Sequence, residues 1–160
     1  MAKDLIQTLR HQHEEGLGKL NELEDAVVNL EDKGLNSEDV SSVRSAVSFI
    51  NTEIRQHNQR EEEVLFPELE KHIPQQGPTS VMRSEHRELW NKLDELEANI
   101  KTIESAGGKN DNSVLETLLG TARDIISLLR NHIAKENNVL FPLALNILSQ
   151  DQIDRINSTL

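Results

Sequence analysis

Two stretches of this chain place the same reactive side chains in the same order. Residues 55–70 read RQHNQREEEVLFPELE, and residues 130–145 read RNHIAKENNVLFPLAL. Each holds a His followed four residues later by a Glu, His57 with Glu61 and His132 with Glu136, and then Val-Leu-Phe-Pro. On an α-helix four residues advance about 6 Å and turn about 400°, so each pair falls on one face. Upstream, QHEEGLGKLNELEDAV (12–27) matches EHRELWNKLDELEANI (85–100) and aligns His13 with His86. Four imidazoles and two carboxylates form a mixed nitrogen and oxygen donor set. It suits iron, manganese or zinc and suits calcium or magnesium poorly. Two Glu side chains facing each other inside a protein are costly, because each resists ionising beside the other. Two cations would offset that cost, and a carboxylate can bridge metals about 3.5–4 Å apart.

The repeat also selects among neighbours. The first copy has three consecutive acids, Glu61, Glu62 and Glu63, but the second reads Glu136-Asn137-Asn138. Only the first acid recurs, which leaves Glu62 and Glu63 as a solvated edge or as support around the site. His11 lies two residues from His13, about 200° around a helix, so both cannot face inward. Its repeat partner is Ser84, and His72 has no partner either.

These side chains need helices to position them. Aromatic residues are 2% of the chain, few stretches alternate with period two, and Leu, Glu, Lys, Ala and Gln abound. Breaks fall at EDKGLNSED, with Gly34 closing one helix and Ser37 as the N-cap of the next, at HIPQQGPTS (72–80), at SAGGKNDNS (105–113) and at LSQDQ, where Ser149 and Gln152 make a capping box. The expected helices are about 3–32, 37–71, 79–105, 113–147 and a short one at about 149–157. The fold class is all-α: an antiparallel up-down-up-down four-helix bundle with a short C-terminal helix. Residues 1–160 form one domain of two duplicated hairpins, about 3–71 and 79–147, related by an approximate two-fold axis. Pro67 and Pro142 each sit inside a long helix nine or ten residues after its His, so each helix is expected to bend or start a new turn there.

Composition narrows the chemistry. The 160 residues contain no Cys, which excludes thiolate metal sites, iron–sulfur ligation and Cys nucleophiles, and no Tyr. A net charge of −11 argues against nucleic acid or an anionic membrane as partner. The first fifteen residues lack the apolar stretch of a secretory signal, and no apolar run approaches a membrane span, so a cytoplasmic protein is expected.

The ordered set His…His-x-x-x-Glu…His…His-x-x-x-Glu, with Leu-Phe-Pro after each acid, resembles the hemerythrin-like (HHE cation-binding) domain family over about residues 3–147. The resemblance implies a four-helix bundle holding two non-haem iron ions, oxo- or hydroxo-bridged, with Mn or Zn as substitutes. Carried over, His13 and His57 bind one iron, His86 and His132 the other, and Glu61 and Glu136 bridge them. Oxygen-carrying hemerythrins have a further His where this chain has Trp90, and an Asp one residue later than Glu136, where this chain has Asn137. The symmetric pattern is more similar to that of the iron–sulfur cluster repair proteins. Fewer protein ligands leave open positions, which implies binding, sensing or reaction with O2, NO or peroxide, or iron handling. An enzymatic form, by peroxide decomposition or redox iron repair, and a sensor or store share one site. Gly16 stands where the repeat has Leu89; it suits close helix packing, or a small-residue opening that with Trp90 gives ligands access. The reading from a different class is a helical interaction protein without metal, whose His/Glu pairs are buried polar networks.

Overall fold

The first helix begins because Asp4 stays extended and its carboxylate accepts hydrogen bonds from the backbone N–H groups of Ile6 (3.0 Å) and Gln7 (3.4 Å). In this computed structural model, which describes residues 4–106 and 112–160, α1 (Leu5–Lys33) runs to Gly34, whose φ of 82° closes it. The second rod is continuous from Ser37 to Leu69: α2 (Ser37–Phe49), a π-helical turn (Ile50–Ile54), α3 (Arg55–Arg60), a second π turn (Glu61–Leu65) and α4 (Phe66–Leu69). Its cap is Asn36 rather than Ser37. The Asn36 side chain accepts the Asp39 N–H at 2.9 Å, and Ser37 is already helical. The third rod is α5 (Pro78–Ser105), with Pro78 in the first turn, where its missing N–H costs nothing. The fourth joins α6 (Asn112–Lys135), a π turn (Glu136–Leu140) and α7 (Phe141–Ile147). Helix α8 (Gln150–Asn157) follows the expected Ser149/Gln152 capping box. The expected loop at 105–113 lies largely outside the described residues, which contain no strand.

The two prolines do not break their rods. Each follows a π turn, Pro67 after Glu61–Leu65 and Pro142 after Glu136–Leu140. A proline ring crowds the carbonyl four residues back and donates no hydrogen bond. A widened turn just before it relieves that crowding, and such π turns recur at functional sites. Here each starts at a repeated Glu. The third π turn, Ile50–Ile54, has no proline beside it, and residues 125–129 of the fourth rod are α-helical.

Helix α1 packs against α2 and α6, and α5 packs against α6 and α2. Two apolar clusters result. The larger runs from Leu20 to Leu30, Val40 to Ile54, Leu89 to Ile103 and Leu118 to Ile133. The smaller joins Leu5, Ile6 and Leu9 to Leu65, Phe66, Leu69, Met82, Leu140, Phe141 and Ile156. The repeated His and Glu form a buried polar layer where the two clusters meet, with Gly16 and Asn58 also buried there. Helix α8 closes the smaller cluster. Its Asn157 side chain accepts the Leu5 N–H at 2.9 Å, and Gln152 and Arg155 hold Glu68.

Candidate metal centre

His13, His57, Glu61, His86, His132 and Glu136 converge on this polar layer, and each is almost fully buried. Their atoms form two groups that share both acids: His13, His57, Glu61 and Glu136, and His86, His132, Glu61 and Glu136. His13 Nε2 lies 3.0 Å from His57 Nε2 and 3.0 Å from Glu136 Oε1. His86 Nε2 lies 3.1 Å from His132 Nε2 and 3.4 Å from Glu61 Oε1. His57 Nε2 is 3.4 Å from Glu61 Oε2, and His132 Nε2 is 3.2 Å from Glu136 Oε1.

The fit to cations can be tested on these distances. Donor atoms about 2.1 Å from one ion, at right or tetrahedral angles, lie about 3.0–3.4 Å apart. The spacings above fall in that range within each group. The acids make the same point through their hydrogen bonding. Both oxygens of Glu61 and Oε2 of Glu136 are buried without a hydrogen-bond partner. Buried carboxylate oxygens are ordinarily paired, so these are oriented for an occupant that is not a hydrogen-bond donor.

Titration behaviour follows from crowding. Burial, then the charge of Glu136, pushes the Glu61 carboxyl well above the usual carboxylate range. Burial opposes ionisation of Glu136 too, but Glu61 and the rings of His13, His132 and His57 outweigh it and hold Glu136 well below that range. Each carboxyl thus acts on the other, and the two do not titrate independently. Burial lowers His57, and burial with repulsion from His132 lowers His86 to about 3. Both rings are neutral near pH 7, with a lone pair free for a metal.

Each ring is aimed by a partner on its other nitrogen. The Nδ1 atoms of His13 and His57 face Asn137 Oδ1 and Gln12 Oε1, both at 2.8 Å. Those of His86 and His132 face Glu62 Oε1 at 3.2 Å and Glu85 Oε1 at 2.9 Å. With Nδ1–H donating outward, the Nε2 lone pair points into the layer.

A model of the hemerythrin HHE cation binding domain matches residues 4–144. The chain belongs to this family. Among curated HHE relatives, a protein named iron–sulfur cluster repair protein YtfE from Escherichia coli O157:H7 is 32% identical over 101 residues, covering 62% of this chain and 45% of the relative. The YtfE protein of Cronobacter sakazakii (strain ATCC BAA-894) is 34% identical over the same extent. The matched stretch thus spans less than half the length of these relatives.

The remaining residues singled out from the sequence lie elsewhere. His11 is exposed beside Glu14 and Glu15 on its own helix, and His72 meets Gln152 at 2.6 Å. Gly16 is buried, and a Cβ there would meet Ile54 Cδ1 at 3.0 Å, so the space left by its missing side chain is taken up by helix contact. Trp90 is half-buried against the larger cluster, with the Arg55 guanidinium 4.1 Å above its ring. Sequence reasoning missed Gln12, Glu85 and Asn137 as ring partners, and Phe66 and Phe141 as ring neighbours. Gln12 and Glu85 each precede a repeated His, and Glu62 and Asn137 each follow a repeated Glu, so the internal alignment already held that signal. No helix among the described residues is long and apolar enough to cross a membrane.

Proposed function

We propose that this chain is a non-haem di-iron protein that binds, senses or reacts with O2, NO or peroxide, or handles iron, in the cytoplasm. The observation that carries the reading is the pair of buried acids shared by two histidine pairs, with three carboxylate oxygens lacking any hydrogen-bond partner. A buried polar network without metal would satisfy those oxygens, which speaks against the interaction-protein reading. The proposed ligands are His13 and His57 for one ion, His86 and His132 for the other, with Glu61 and Glu136 between them. The proposed architecture is one domain of two duplicated hairpins in an antiparallel up-down-up-down bundle. The packing of α1 on α2 and α6, and of α5 on α6 and α2, supports it.

Bound iron supplies one-electron redox chemistry and open positions for a small ligand. The chain's own residues supply the rest. The four rings present Nε2 to the layer, held in orientation by Gln12, Asn137, Glu62 and Glu85. Burial and the charge of Glu136 raise the proton affinity of Glu61, so cations held between the two acids would compete with a proton there. The two apolar clusters exclude bulk water from both ends of the layer. The YtfE relatives, named for iron–sulfur cluster repair, support a role in iron handling.

Metal analysis with an electronic spectrum of the aerobically purified protein tests the reading. Iron near two per chain with near-ultraviolet charge-transfer bands is expected. A protein that binds no transition metal overturns it. Turnover of added peroxide by the loaded protein marks an enzyme, and ligand binding without turnover marks a sensor.

A further inference from the structure

The duplicated design is symmetric in its metal-type ligands and asymmetric in what stands behind them. The ring of His57 is backed by Gln12 and that of His13 by Asn137, both neutral amides. The repeat-equivalent positions are Glu85 behind His132 and Glu62 behind His86, both carboxylates. Each half of the layer therefore has a uniform character: two amides on one side, two acids on the other.

That difference acts on a bound ion through the ring. A carboxylate accepting the Nδ1 proton draws it outward and raises the basicity of Nε2, while an amide oxygen fixes the same orientation with less pull. Two cations temper the acidic side. Lys135 Nζ sits 2.5 Å from Glu85 Oε2, and Arg83 lies near His86 while bonding to Glu70. Neither takes the Glu85 or Glu62 oxygen that faces the ring. Glu85 remains largely buried, where its charge is screened less than at the surface. The amide side has no charged group on either Nδ1.

On the reading that the chain holds two metal ions, we infer that the two positions are unequal. The one at His86 and His132, backed by Glu62 and Glu85, binds its ion more tightly and favours the more oxidised state. The one at His13 and His57, backed by Asn137 and Gln12, fills second and releases its ion first. The inequality makes one position a retained anchor and the other the exchangeable ion.

The test uses the metal-free full chain with labelled histidine rings and Zn(II) as the sole probe. One equivalent is expected to move the ring signals of His86 and His132 and leave those of His13 and His57 in place until the second equivalent. Simultaneous movement, or movement of His13 and His57 first, overturns the inference. The isosteric exchange then assigns the cause. Glu62→Gln with Glu85→Gln is expected to weaken the first step about 10-fold or more, on the usual scale for such partners. Gln12→Glu with Asn137→Asp is expected to tighten the second. All four together reverse the filling order, an outcome that altered packing alone does not produce. An unchanged order in that chain overturns the role given to these four residues. No ring movement with two equivalents of Zn(II) in the unaltered chain overturns the metal reading itself.

Discussion

Phe141 lies over the imidazole of His13, with ring centroids 5.3 Å apart and planes 12° from parallel. Phe66 stands in the same relation to His86, at 6.0 Å and 15°. Each Phe carries an Arg guanidinium near its ring, Arg10 over Phe141 at 5.8 Å and Arg83 over Phe66 at 5.3 Å. Arg10 and Arg83 each precede the repeated His by three residues. The Leu-Phe-Pro that follows each repeated acid is thus a wall of the site: its Phe packs on a histidine from the other hairpin.

Truncating that wall is expected to cost both stability and metal. Phe141→Ala removes a fully buried ring, and such changes cost about 3–5 kcal/mol. Urea unfolding of the metal-free protein measures the loss. Phe66→Ala is expected to cost a similar amount, and a near-zero value for either contradicts the packing described.

Gly16 separates contact from opening. A larger side chain there runs into Ile54, whose Cδ1 already lies 3.0 Å from the Cβ position. Gly16→Leu is expected to destabilise by about 1–3 kcal/mol through overpacking. Unchanged stability together with slower azide binding would instead mark an access path.

Glu61→Gln is expected to act differently on the two forms. In the metal-free chain burial and Glu136 oppose the charge of Glu61. An amide of the same shape then changes stability by about 1 kcal/mol or less. The same substitution removes a shared carboxylate and is expected to lower the bound metal below two ions per chain. Thermal melts with and without chelator, set beside metal content, read both effects.

The contribution of His57 and His86 to the stability of the metal-free protein is expected to fall on acidification below neutrality. Burial holds His57 and His86 below the ordinary value of about 6.5, His86 at about 3. At these two rings the unfolded chain therefore binds more protons than the folded one in this range. The stabilising effect is complete above about 6.5 and drains away as pH falls toward about 3. His132 moves the other way: burial lowers it, but the hydrogen bonds and charges of Glu136 and Glu85 together outweigh burial and raise it, so its contribution fades as pH rises. Glu61 is raised as well and opposes the two lowered rings, so the His86 share is read by difference: between pH 7.5 and 5 the urea midpoint of the unaltered chain should fall relative to that of His86→Asn.

Helix α8 is tied to the start of α1 by one side chain. Asn157 accepts the Leu5 N–H that no helical partner can reach. Asn157→Ala is expected to cost about 0.5–2 kcal/mol, the usual range for a lost cap. Differential scanning calorimetry measures it, and amide exchange at Leu5 locates it.

Much of this was legible in the chain. Helical rods, the Gly34 stop, the Ser149 capping box and the inward set of His13, His57, Glu61, His86, His132 and Glu136 follow from spacing and repetition. Helical periodicity is local, and a duplicated chain states twice which residues matter. The cap at Asn36 was missed because Ser37 is an equally good capping residue, and only the hydrogen bond to Asp39 distinguishes them. Pro67 and Pro142 marked two places of strain, but whether a rod bends or widens depends on the packing around it. Here Leu65, Phe66, Leu140 and Phe141 are all buried in one cluster, and π turns keep the rods continuous through it.

Residue types and spacing alone determined that each His-x-x-x-Glu pair shares a helical face and that the chain repeats its plan. Tertiary structure alone decided which side chain stands behind which ring. Gln12 reaches His57, Asn137 reaches His13, Glu62 reaches His86 and Glu85 reaches His132. Every one of these contacts crosses from one rod to another, and no local rule of sequence specifies a neighbour on a different helix. The same applies to Gly16, whose role is defined by Ile54 across the interface. The identity of each ligand is a property of one helix. The electrostatic difference between the two halves of the site is a property of their packing.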